Sequence, residues 1–167
     1  MSRRAGCGGF SLVEVAVVIA LLGVLASMAL PSIAQQFARW NLQSAAQRLA
    51  YDIGQARHEA ARQGRTLHLQ VQPGERWCWA VSEVPGCTCQ EARHCQRQLA
   101  RASDHPGVVV ETAATLSFSP TAHGPGAPSS LLLSSRHGEQ LEVRLTPLGR
   151  ARVCAPDRPR MGHDACG

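Results

Sequence analysis

The chain has 167 residues, 44% hydrophobic and 17% charged, with a formal net charge of +5, and every basic side chain other than histidine is arginine. That length allows one domain of ordinary size. So small an excess of charge excludes attachment to nucleic acid by bulk charge alone; any such contact needs a local cluster. There is no Gly-x-Ser-x-Gly, phosphate-binding glycine loop or His-Glu-x-x-His, and the histidines (58, 68, 94, 105, 123, 137 and 163) are scattered. No enzyme activity, metal or cofactor is expected from such a pattern.

The first element is apolar. From Phe10 to Leu30 there are 21 residues with Glu14 as the only charge, and about 20 suffice to cross a bilayer as a helix. A secretory signal carries its small-residue cleavage site after the apolar run. Here Gly8-Gly9 comes before it. Cleavage there removes a basic leader, residues 1–9, and leaves the membrane helix, residues 10–30, on the mature chain. Losing Arg3 and Arg4 reduces the formal charge from +5 to +3. Glu14 in the first turns is favoured by the helix dipole, though a carboxylate deep in lipid would need a partner.

Pro31 predicts a kink or local interruption. The helix then continues in amphipathic form over residues 31–63, with Ile33, Phe37, Trp40, Leu49, Ile53, Ala56 and Ala60 as the apolar stripe and Gly64 as its C-cap. After Gly64 the period falls to two, and residues 64–167 read as a β-rich domain. Leu67–Val71 and Trp77–Val81 are strands joined through Pro73-Gly74. Residues 85 to 106, rich in Cys, Arg and Gln, are expected to be loop or short helix. Further strands fall at Val108–Glu111, Thr115–Phe118, Ser130–Ser134, Leu141–Thr146 and Arg150–Cys154, followed by an irregular tail. The fold class is α+β: one long N-terminal helix packed on an antiparallel sheet or sandwich.

Of seven cysteines, Cys7 leaves with the leader. Arg3 and Arg4 inside put the body of the protein outside the cytoplasm, where thiols oxidise. Proximity suggests Cys154–Cys166. The other four pair as Cys78–Cys87 with Cys89–Cys95, or as Cys78–Cys89 with Cys87–Cys95. Zinc on Cys87, Cys89, His94 and Cys95 is the competing reading, but the spacing is not a standard zinc pattern.

Gly9-Phe10-Ser11-Leu12-Val13-Glu14 resembles the processing site of type IV prepilins and type II secretion pseudopilins. The resemblance implies a type IV pilin-like fold. It also implies cleavage after Gly9 by a prepilin peptidase, methylation of Phe10, and pairing of Glu14 with the Phe10 amine of a neighbouring pilin during assembly. Ala56-Arg57-His58-Glu59-Ala60 before Gly64, Phe118-Ser119-Pro120, and Leu148-Gly149-Arg150-Ala151-Arg152-Val153-Cys154 resemble the pseudopilin-H and FimT/FimU subgroup of minor pilins. Insertion in the bacterial inner membrane, then incorporation in an extracellular pilus with other major and minor pilins, is what this implies.

Gly149-Arg150-Ala151-Arg152 resembles the Gly-Arg-x-Arg motif that the FimT branch associates with DNA binding in natural transformation. Residues i and i+2 of a strand point to one side, about 6.6 Å apart, so Arg150 and Arg152 are placed to grip neighbouring phosphates of double-stranded DNA without reading sequence. Gly149 is expected to let the DNA backbone come close. Arg144, Arg158 and Arg160 extend the patch, opposed by Glu142, Asp157 and Asp164. The alternatives are a structural minor pilin that binds no nucleic acid and an H-type minor pseudopilin of a type II secretion machine.

Overall fold

A computed structural model describes residues 11–89, 96–121 and 129–167. Helix α1 spans Leu12–Gln63, and the chain divides into two units between Gln36 and Phe37. In the first unit, the described side chains of α1 are exposed all round, from Leu12 and Val13 to Val24 and Leu25. This is the one helix among the described residues long and apolar enough to cross a membrane. Glu14 lies in its first turn. The helix runs on through Pro31, so the expected interruption is corrected. Proline removes a single hydrogen bond, and the turns on either side keep theirs.

In the second unit, α1 buries Ala38, Leu42, Ala45, Ala46, Leu49, Ile53, Ala56 and Ala60. The expected stripe is right at Leu49, Ile53, Ala56 and Ala60 and wrong at Ile33, Phe37 and Trp40. Phe37 and Trp40 are 60% and 61% exposed and touch each other edge to face at 6.3 Å. The face is lined with alanine because it sits close against the sheets. Gly64 ends the helix with φ +65, and Arg65 N–H closes back to the Ala60 carbonyl at 3.3 Å. This is the left-handed cap that glycine adopts without Cβ strain.

Eight strands follow: β1 Leu67–Gln72, β2 Cys78–Ser82, β3 Gln96–Arg101, β4 Val108–Val110, β5 Ala114–Phe118, β6 Ser129–Ser135, β7 Gln140–Leu145 and β8 Ala151–Cys154. They form two antiparallel four-stranded sheets of order β3-β2-β1-β5 and β4-β6-β7-β8. Leu67, Leu69 and Val71 of the first sheet and Leu131, Leu133, Leu141, Val143 and Leu145 of the second join the α1 face in one core. Trp77 and Trp79 stack in it at 4.7 Å, and the Trp77 indole N–H donates to the Val108 carbonyl at 2.8 Å.

Strand β3 corrects the expected loop or short helix over 85–106. Its pairing with β2 supplies the order, and its Arg97 reaches Glu59 of α1 at 3.1 Å and also pairs with Glu83. The 3-10 turn Ala102–Asp104 follows it.

Candidate functional site

The C-terminal part of the second sheet gathers the predicted arginines. Among the described residues, strand β8 is an edge strand paired only with β7, in the register Glu142↔Cys154, Val143↔Val153, Arg144↔Arg152 and Leu145↔Ala151. Val143 and Leu145 of β7 face the core, so Glu142 and Arg144 take the opposite face. Arg144 therefore stands directly across from Arg152, and two like charges so placed repel. The conflict is relieved on one side only. Arg144 Nε lies 3.0 Å from Glu142 Oε1, and its guanidinium also donates to the Gly167 carbonyl. Among the described residues, Arg152 has no ionic partner.

The turn from β7 to β8 is closed at both ends by Thr146. Its N–H donates to the Arg150 carbonyl at 3.0 Å, and its Oγ1 accepts the Arg150 N–H at 3.1 Å. Gly149 has φ +72, donates to the Thr146 carbonyl at 2.8 Å, and is buried. The turn itself therefore requires the glycine. Arg150 ends the turn just before β8, and both Arg150 and Arg152 are exposed. Of the residues expected to extend the patch, Arg144 is the one paired, among the described residues, with an opposing charge, Glu142.

The tail beyond β8 is more ordered than expected. Cys154 and Cys166 form a disulfide with Cα atoms 5.1 Å apart. Ala155 bridges Ala165 in parallel, donating to the Asp164 carbonyl at 2.9 Å and accepting from Cys166 N–H at 2.8 Å. Arg160 and His163 exchange two backbone bonds of 3.0 and 2.8 Å. Arg158 and Arg160 are exposed and, among the described residues, without ionic partners. A cavity of about 270 Å³ separates this tail from β7 and β8, with Arg144, Arg152, Gly162 and His163 on its walls.

The remaining cysteines resolve one alternative. Cys78 bonds Cys89, with Cα atoms 6.0 Å apart, which excludes Cys78–Cys87 with Cys89–Cys95. Cys87 is itself disulfide-bonded. Cys95 and His94 lie outside the described residues, as do Gly9 and Phe10. With Cys87 and Cys89 both oxidised, neither has a thiolate to offer a metal.

A family model described as type II transport protein GspH matches residues 45–149. The chain belongs to the GspH family. A second model, the prokaryotic N-terminal methylation motif, matches residues 4–30 of this GspH-family chain. Two crystal forms of the type IV minor pilin FimU from Pseudomonas aeruginosa share its fold. The first gives a TM-score of 0.52 at 18% identity, covering 70% of this chain and 98% of FimU; the second gives 0.54 at 17%, covering 71% and 95%. No curated protein matches the sequence. With its apolar N-terminal helix, this GspH-family chain is a membrane-anchored subunit of the pilin and pseudopilin kind. The GspH match ends at residue 149, so Arg150, Arg152 and the disulfide-closed tail lie beyond it.

Proposed function

We infer that the chain is a minor subunit of a type IV pilus that is cleaved after Gly9, methylated at Phe10, and inserted in the filament with the aid of Glu14. The observation that carries this reading is α1 before Gln36. Its described apolar side chains are exposed on every side, and only lipid or neighbouring helices can cover them. A prepilin peptidase and other pilins are the implied partners. Mass spectrometry of the mature N-terminus tests it: methylated Phe10 is expected, and any other start removes the basis for the assignment. A deletion strain then separates two roles. Loss of twitching supports a pilus subunit, and loss of protein secretion with twitching intact supports an H-type pseudopilin.

A second activity is favoured by Arg150 and Arg152, at the start of and within edge strand β8, both exposed and, among the described residues, without ionic partners. Together with Arg158 and Arg160 they offer a basic rim suited to the backbone of double-stranded DNA. Opposing it are Asp157 and Asp164, both exposed. Such a subunit would hold extracellular DNA on a pilus for uptake in natural transformation. The test is a titration of an arbitrary duplex with the full chain in detergent, at two salt concentrations. Binding that weakens with salt and is lost in the Arg150→Gln/Arg152→Gln double variant is expected. No binding at low salt, or binding unchanged in the double variant, rejects this activity and leaves the structural role.

A further inference from the structure

The tail is held more tightly than a terminal segment needs to be for its own sake. Its last residues are tied to β8 by the Cys154–Cys166 disulfide and by the Ala155 backbone bonds. Its middle is a tight turn, Arg160-Met161-Gly162-His163, in which Met161 has φ +51 and Gly162 has φ +78. Two positive values make the φ pattern of a type I′ turn, whose first central position ordinarily belongs to Asn, Asp or Gly. Met161 is the one described residue other than glycine with a positive φ. A left-handed conformation in a bulky residue persists only where its surroundings over-determine it, and such positions concentrate at functional sites. The surroundings here are explicit. The Met161 side chain packs on the core, and its carbonyl accepts a hydrogen bond from Gln43 Nε2 of α1 at 2.6 Å.

This anchoring fixes what the turn carries. Arg160 opens it and Arg158 precedes it, between Pro156 and Pro159, and both guanidiniums are exposed. Arg152 lines the same cavity as Gly162 and His163 of the turn. We propose that the disulfide-closed tail is a positioning element that holds Arg158 and Arg160 as a second pair of phosphate contacts beside Arg150 and Arg152. The proposal rests on the DNA-binding reading above and adds to it the residues that do the positioning: Cys154, Cys166, Met161 and Gln43. An ordered pair of arginines engages phosphates without first losing the freedom of a loose tail, so order appears as affinity. Asp157 and Asp164 sit in the same segment and limit its net charge, which makes placement matter more than charge count.

The test uses the full chain in detergent, duplex DNA of arbitrary sequence, and a salt series. Each phosphate contact contributes about 0.9 to the slope of log K against log salt. The Arg158→Gln/Arg160→Gln variant keeps the disulfide and is expected to flatten the slope by about 1.8. The Cys154→Ser/Cys166→Ser and Gln43→Ala variants leave every charge in place. Each is expected to weaken binding at low salt several-fold, with circular dichroism unchanged. A slope and affinity unaltered in Arg158→Gln/Arg160→Gln overturn the proposal while leaving Arg150 and Arg152 as the site. Full affinity in both charge-neutral variants overturns the positioning role. If the unaltered chain binds no duplex at low salt, the DNA-binding reading itself falls, and this proposal with it.

Discussion

Trp79 donates its indole N–H to Asp52 Oδ2 across 2.9 Å, joining β2 to α1 inside the core. Asp52 is fully buried, and Arg48 one turn earlier places its Nε 3.1 Å from Oδ1. A buried carboxylate is tolerated only when it is paired and hydrogen-bonded. Here one contact comes from the helix and one from the sheet, so the pair fixes the rotation of α1 on the strands.

Replacing Asp52 by Ala leaves the buried Trp79 N–H without an acceptor. The expected loss is about 1.5–3 kcal/mol of unfolding free energy, the range for a hydrogen bond to a charged group. Urea denaturation of the full chain in detergent, followed by tryptophan fluorescence, measures it. A loss within experimental error would show that the contact does not restrain the helix.

Gly64→Ala isolates a backbone effect. A Cβ at this position meets no atom within 4 Å, so only the positive φ opposes the substitution. A cost of about 1 kcal/mol is expected. The same denaturation experiment measures it, and a gain in stability would mean that the cap rearranges.

Burial lowers the pKa of His105 from its ordinary 6.5, Asp104 opposes the shift, and Arg48 adds to it. The ring also stacks on Trp77 at 6.1 Å. With the folded value below the unfolded one, the unfolded chain binds the proton more readily. The histidine therefore costs nothing well above pH 6.5 and removes stability as pH falls through 6.5 toward the folded value. Comparing denaturation midpoints of the unaltered chain and His105→Gln between about pH 7.5 and 5 tests this. The variant is expected to lose less stability over that interval.

The Cys78–Cys89 disulfide closes a sequence separation of 11 residues beside Ala80 and Leu99. Replacing both cysteines with serine is expected to cost about 2–4 kcal/mol. Peptide mapping without reduction should recover the two cysteines in one linked fragment. A Cys78–Cys87 fragment would contradict the pairing.

The sequence made the architecture readable because the signals were periodic. Alternation marked β1, Gly64 marked the end of α1, and turn residues separated most of the later strands. Strand β3 was missed because Gln96, Arg97, Gln98 and Arg101 show no apolar alternation, and an edge strand draws its order from its neighbour and from Arg97 contacts distant in sequence. The apolar stripe was misassigned at Phe37 and Trp40 because the buried face between Ala38 and Ala46 is built mainly of alanine, which carries little weight in a pattern of large side chains. Arg150 and Arg152 were legible as exposed cations and Glu142 as a charge opposing the patch, whereas its direct pairing with Arg144 depends on the geometry of β7. The ordered tail was hidden, since its anchors come from Gln43 of α1 and from the left-handed Met161, neither of which follows from a local motif.

The alanine face has a mechanical consequence. From Leu42 to Ala60 the buried stripe of α1 is part of the same core as both sheets. A pull along the helix axis meets resistance from that whole stripe in shear, rather than from one strand being peeled away. A subunit tethered through its helix can thus transmit tension into the domain without its weakest hairpin opening first.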